Sequence, residues 1–418
     1  MNPIESPFDV RGFRPSDAYL AERLCYALDF AKRAFTHLIV EGRSAPEDAP
    51  WYVRPEKLIA ETGLLMVYAR AAQGDSGVAN ALNALADVLE PLARSKAVLG
   101  NICLKPALAL DYACAHICLS YLGRPNALFD EALAGALESG NQTERTPYRM
   151  LEQAWLMRLW NGTHKPEENA RWTKLGCMNH RPDLFSESSD DVYATTHAAM
   201  YLFFHGETPA AVEVESLIDR LESWLVIYMD KQDYDIAGEL LLAWSLTGKP
   251  FSAKALFALH CLVKIEARVG FLPAPNLDPG MIEEREPDER RTYIYSVNYH
   301  TAFVMGLLCA GLLAQALPHD TVASEVIHNV EWGAMLKREL NAGKFAHWMD
   351  YYKSLDAPQQ EVLMPWLYET LLVRMLRDYR YDAVEKLLSN AKGTAFENAL
   401  IYRQAASLLE RIALMAKI

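Results

Sequence analysis

Apolar residues recur with a period near 3.6 along almost the whole chain, and no stretch alternates as a half-buried strand would. Ser16 is placed to cap a helix running to about Val40, with Leu20, Leu24, Ala27 and Phe30 on one face. Pro55 opens a second helix that Gly74 closes, and Asp75 or Ser76 opens a third ending near Ser95. Further helices are predicted from Pro106 to Leu122, from Pro125 to Ser139, and from Thr146-Pro147 to Asn161. A short one follows from Pro166 to Leu175. The pattern then tightens, with helices from Ser189 to His205, Thr208-Pro209 to Asp230, Asp235 to Leu246 and Ser252 to Val269. A loop rich in proline, glycine and charge from Phe271 to Tyr295 has the length of a functional lid. Beyond it a strongly apolar helix runs from Ser296 or Asn298 to Leu317.

This pattern predicts an all-α chain of antiparallel hairpins with short connections. In hairpin arrays the helices alternate between an inner and an outer layer. Taking the helix at Pro106 as inner, the alternation also makes those at Pro55, Thr146, Asp190, Asp235 and Asn298 inner. Six inner helices are the number that closes an α/α toroid, and residues 1–318 are read as that domain. Residues 319–418, with four or five more highly charged amphipathic helices, are read as a helical C-terminal extension and a possible homo-oligomer contact.

Composition narrows the function without naming it. Apolar residues make up 51% and charged residues 23%, a globular balance. The net charge of −13 repels phosphate backbones, so no nucleic-acid partner is expected. The segment Met1–Pro7 has neither a basic nor an apolar leader pattern. The most apolar stretch, Thr301–Leu317, is 17 residues long, short of a membrane span. Seven scattered cysteines fit small apolar fillers in a reduced compartment. Together these predict a cytoplasmic protein with no membrane partner.

Three polar clusters fall on consecutive inner helices. In Asp190-Asp191-Val192-Tyr193-Ala194-Thr195-Thr196-His197, continuing to Tyr201, residues Tyr193, His197 and Tyr201 share one face at i, i+4 and i+8. In Asp233-Tyr234-Asp235-Ile236-Ala237-Gly238-Glu239, Asp235 suits an N-cap, while Glu239 begins an otherwise apolar run and needs a partner if buried. In Asn298-Tyr299-His300-Thr301, His300 stands near the expected helix N-terminus, whose dipole favours a neutral imidazole. Parallel inner helices would bring all three to one mouth. His197, Glu239, His300 and Asp235 are therefore the candidate catalytic residues. Tyr193, Tyr201, Tyr299, Asn298 and Asp190 are candidates for substrate binding.

Two chemistries fit these residue types. One is a general acid/base pair of Glu239 with His197 or His300 in an aromatic-lined cavity. The other is a two-His-one-carboxylate site for a divalent metal. No tight motif such as H-E-x-x-H supports the second, so no cofactor is expected. Nucleotide and serine-hydrolase motifs are absent from the sequence. Cys177-Met178-Asn179-His180 lacks a base-orienting third group, and Asp111-Tyr112 with His116 reads as core packing.

The segments Thr196-His197-Ala198-Ala199-Met200-Tyr201, Asp235-Ile236-Ala237-Gly238-Glu239-Leu240-Leu241 and Tyr299-His300-Thr301 give the chain a family likeness. Over residues 15–318 it resembles an uncharacterised bacterial all-helical family, common in actinobacteria and classed as a domain of unknown function. The resemblance implies no established reaction. More remotely, the inferred toroid looks like the scaffold of terpene cyclases and lanthionine cyclases, which is a likeness of architecture and does not fix function. The function expected is biosynthetic: acid/base chemistry such as cyclisation, elimination or isomerisation on a small or peptide-like substrate. The rival expectation is a non-catalytic helical binding or scaffold protein.

Overall fold

Side-chain caps set the starts of many helices. Ser16 Oγ accepts from the Tyr19 N–H at 3.2 Å, and Asp75, Ser95, Asn126, Ser188, Asp233 and Ser252 do the same for their own helices. The computed structural model describes residues 15–180, 183–185, 188–207, 209–314, 330–341 and 346–415. Its helices are α1 (Asp17–Phe35), α2 (Pro55–Ala69), α3 (Ser76–Ala93), α4 (Lys96–Leu104), α5 (Ala109–Tyr121), α6 (Ala127–Glu138) and α7 (Pro147–Asn161). Then come α8 (Pro166–Leu175), α9 (Ser189–Phe203), α10 (Val214–Lys231), α11 (Tyr234–Leu246), α12 (Ala253–Val269), α13 (Pro279–Glu283) and α14 (Pro287–Ala314). The C-terminal region holds α15 (Val330–Asn341), α16 (Trp348–Lys353), α17 (Ala357–Val362), α18 (Met364–Arg377), α19 (Tyr381–Ala391) and α20 (Leu400–Met415). The described residues are all-helical, with no β-strand among them.

Four departures from the sequence pattern have local causes. Ser95 caps a separate α4, which the chain leaves at Pro106 with a 114° bend before α5. α10 starts at Val214, not at Pro209, because the Pro209 carbonyl is used in a turn that accepts from the Val212 N–H. Thr208 lies outside the described residues, as does the expected end of the apolar helix at Leu317. The 271–295 loop is largely helical. Asp278 caps α13, and Pro287 with Asp288 and Glu289 opens α14 about ten residues before the expected start. The charges that suggest a solvated loop instead pair on the surface, Asp288 with Arg43 and Arg291. Finally, the cap of α11 is Asp233, whose carboxylate accepts from the Ile236 N–H at 3.2 Å, and not Asp235.

The helices pack in a closed succession of neighbours. α2 packs on α5, α5 on α7, α7 on α9, α9 on α11 and α11 on α14, and α14 returns to α2. α1 lies against α14, α3 and α2, and α3 against α2 and α5; α6 lies against α5, α8 against α7, α10 against α11 and α12, and α12 against α11. α14 is long and apolar enough to cross a bilayer, yet 78% of its apolar window is buried within the protein. It sits in a tight slot. A Cβ on Gly306 would meet the Ala27 Cβ at 2.6 Å, and one on Gly238 of α11 would meet the Val304 Cγ1 at 2.6 Å.

The C-terminal helices dock through α10, which packs on α18 and α20. Lys254 Nζ on α12 lies 2.7 Å from Glu222 of α10 and 2.6 Å from Glu369 of α18, with Glu369 almost fully buried. Burial alone would lower the Lys254 pKa, but its two carboxylate partners push it up. Arg374 holds Asp230 in a fork, Nη2 to Oδ1 at 2.6 Å and Nε to Oδ2 at 3.0 Å.

The glycine contact yields a test of the packing. Gly306→Ala gains roughly 1 kcal/mol of helix propensity but overpacks a slot walled by a rigid Cβ, at about 1–3 kcal/mol. Chemical denaturation should report a net loss of stability. A gain would mean that α1 and α14 are not in this close contact.

Candidate functional site

The site is built from the N-terminal halves of α2, α7 and α11, the stretch Tyr193 to Tyr201 of α9 and the middle of α14. His300 belongs to a 28-residue helix whose residues 299 and 301 are buried, yet 26% of its own side chain is accessible. Open space between the helices therefore adjoins the ring. With His197, 24% accessible, and Glu61, 22%, it lines an interhelical cleft. At its floor Glu239 and Asp235 are nearly closed off, at 3% and 7%.

His300 stands among three carboxylates from two other helices. Its Nδ1 is 3.3 Å from Glu61 Oε2, and its Nε2 is 3.5 Å from Asp235 Oδ2 and 3.4 Å from Glu239 Oε1. With acceptors on both nitrogens, the ring is held as the double donor. Burial would lower its pKa, but Asp235, Glu61 and Glu239 raise it well above the usual imidazole range. His300 therefore does not take the neutral form expected from a helix-end position, since it lies more than three turns inside α14.

The carboxylates divide in response. Burial would raise Glu61, but the His300 charge and hydrogen bond, with help from Lys57 and Tyr299, hold it at about 2. Burial pushes Asp235 up in spite of His300. Against the same burial, His197 and His300 keep Glu239 below its ordinary value. Tyr193, raised by burial and by Asp235, stays protonated and donates to Asp235 Oδ2 at 2.8 Å. Asp235 Oδ1 is buried without a hydrogen bond of good geometry.

Glu239 faces two ways. Its Oε1 turns to His300, whereas its Oε2 accepts from Thr196 Oγ1 at 2.5 Å and lies 3.5 Å from His197 Nδ1. His197 Nδ1 donates to the Tyr193 carbonyl at 2.9 Å. In the neutral ring this tautomer leaves Nε2 as the unprotonated nitrogen. Tyr148, Tyr193 and Tyr201 surround the ring with centroids 6.0, 6.1 and 6.4 Å away.

Of the residues singled out from the sequence, the structure brings together His197, Glu239, His300, Asp235, Tyr193 and Tyr201. Tyr201 donates to Glu152 Oε1 at 3.0 Å. Tyr299 is buried beside Glu61 and hydrogen-bonded to it. Asn298 is fully buried with both ends of its amide used on backbone, accepting from the Ala274 N–H and donating to the Ile294 carbonyl. Asp190 is exposed in the first turn of α9. The Asp111 and His116 pair lies elsewhere, Asp111 with Arg145 and Gln153, His116 with Arg94 and Asp130.

Three members are absent from the sequence reading, the wall residue Tyr148 and the carboxylates Glu61 and Glu152. Both carboxylates carried a signal of the kind seen at Glu239, a charge on an apolar helix face. Glu61 shares its face with Leu58 and Leu65, and Glu152 shares its face with Tyr148, Trp155 and Leu156.

A family model described as a domain of unknown function, DUF6895, matches residues 27–310. The chain belongs to this family. It matches no curated protein and no solved structure. The DUF6895 segment contains every residue of the cleft from Glu61 to His300, and the C-terminal helices lie beyond it.

The ion cluster makes a measurable demand. His300→Ala leaves three carboxylates facing one another and should cost about 3 kcal/mol in urea unfolding, the low end for breaking a buried pair because the ring is partly wet. Adding Glu61→Gln to that variant should recover part of the loss. Strict additivity of the two substitutions would show that the groups do not interact.

Proposed function

We propose that this DUF6895 protein is an enzyme of specialised metabolism, working by acid/base chemistry on a small or peptide-like substrate. Cyclisation, elimination and isomerisation are the reaction types that such chemistry serves. The proposed scaffold is an α/α toroid with α2, α5, α7, α9, α11 and α14 as its inner ring. The closed succession of contacts from α2 round to α14 and back supports that reading.

One observation carries the proposal: His197 has a fixed Nδ1, an unshared Nε2 and a solvent-reached position in the cleft. An imidazole so oriented is suited to accept a proton from a bound molecule. Glu239, 3.5 Å behind Nδ1, would stabilise the imidazolium as it forms and is a positioning residue. The Tyr148, Tyr193 and Tyr201 rings supply an apolar wall with polar tips. Glu61, Glu152, Asp235 and Glu239 make the cleft inhospitable to anionic substrates unless a cation intervenes. A scaffold role would also use buried polar networks, but it gives no reason for the accessibility of both imidazoles.

The test is conversion of cell extracts followed by mass spectrometry of consumed and formed compounds. Wild-type protein should convert a defined species. His197→Ala should slow that conversion by about 10²–10⁴-fold, with partial rescue by added imidazole. Glu239→Gln should impair it with the fold intact by circular dichroism. Undiminished conversion by both variants would overturn the assignment.

A further inference from the structure

Three carboxylates gathered round one imidazole are an unusual thing for a fold to bury. The cationic side chains at hand are His300 itself, among the three, and Lys57, which is 3.6 Å from Glu61 and half exposed. A desolvated excess of negative charge costs stability unless a cation joins it. The distances point the same way. Charge-assisted N–H···O bonds close to about 2.7–2.9 Å, yet His300 Nε2 stands 3.5 Å from Asp235 Oδ2 and 3.4 Å from Glu239 Oε1. Ligand atoms sharing a metal at about 2.0–2.2 Å stand about 2.8–3.6 Å apart, the wider part of that range being tetrahedral. One ligand atom from each of Asp235, Glu239 and His300 falls within a common 4.8 Å.

We propose that Asp235, Glu239 and His300 bind a divalent first-row metal ion, which displaces the Nε2 proton to solvent so that the neutral ring ligates through Nε2 while Nδ1–H stays on Glu61. This deepens the acid/base reading above, since it sets a Lewis acid beside the proposed base. Two further observations fit a metal better than a self-contained ion pair. Tyr193 and Thr301 both hydrogen-bond the Asp235 carboxylate, yet its buried Oδ1 has no hydrogen bond of good geometry and keeps capacity to coordinate. Glu61 sits on the far nitrogen of His300, at 3.3 Å from Nδ1, the place of the outer carboxylate that orients a metal-ligating histidine. A mixed carboxylate–imidazole set of this kind suits Mn²⁺, Fe²⁺ or Zn²⁺. Three protein ligands leave coordination positions free for water or a substrate oxygen, as catalytic sites do and closed structural sites do not. The set differs from the two-His-one-carboxylate arrangement suggested by the sequence, because His197 lies on the other oxygen of Glu239 and the nitrogen it turns there, Nδ1, is spent on the Tyr193 carbonyl. Glu239 joins the two halves, with Oε1 on the metal side and Oε2 on the His197 side.

The full-length chain, stripped with EDTA and dialysed, would be titrated with Mn²⁺ and followed by electron paramagnetic resonance. One Mn²⁺ per chain is expected, with the spin-echo modulation of a single coordinated ¹⁴N. That signature needs no variant and so does not depend on a variant folding. Asp235→Asn and Glu239→Gln should abolish uptake, and Glu61→Gln, which leaves all three ligands in place, should weaken it by about 10–100-fold. His197→Ala should retain it. Absence of stoichiometric uptake of either Mn²⁺ or Zn²⁺, uptake without nitrogen coupling, or uptake that survives Asp235→Asn would overturn the metal site. Conversion that depends on His197 in a protein that takes up no metal would overturn this site alone. Metal uptake in a protein whose conversion ignores His197 would overturn the base assignment alone.

Discussion

The closeness of α14 to its neighbours is the constraint from which the site follows. Gly306 lets α14 press against Ala27 and Leu65, and Gly238 lets α11 press against Val304. Side chains of ordinary size at these two positions would spread the helices by the width of a methyl group. His300 would then stand farther from Asp235 and Glu239, whose separations from it are already 3.4–3.5 Å. The apolar character of α14, strong enough to suit a bilayer, is the other half of the same constraint. It drives the helix into the centre and carries His300 with it, into surroundings where an imidazole needs partners.

Much of the helical framework was legible in the sequence because its signals are local. Ser16, Asp75, Ser188 and Ser252 cap, Pro55, Pro147 and Pro166 open, and Gly162 and Gly270 close in the left-handed region. The failures came where two local signals competed. Asp233 and Asp235 both suit a cap, and only the fold decides that the first takes the N–H groups while the second turns inward. The start of α14 was hidden because its first turns are exposed and charged, and that texture reads equally as loop.

The cluster itself was half legible. His197, Glu239 and His300 stood out as polar residues inside apolar runs. Glu61 did not, although its neighbours on the helix face are as apolar as those of Glu239. The difference is one of distance along the chain. Its partner His300 lies 239 residues away, and only the return of α14 to α2 brings them together. The protonation state of His300 was misjudged for a related reason. The helix dipole was the only field the sequence could supply, and three carboxylates outweigh it.

The two-sided placement of Glu239 has an evolutionary consequence. One carboxylate contacts both imidazoles through different oxygens, so a substitution there alters two environments at once. Tyr148 and Glu152 each contact one part of the cleft, at its wall and rim. Diversification of what the cleft accepts can proceed at those positions one change at a time. The floor, bound to two tasks, is left as the inherited element on which that variation is tried.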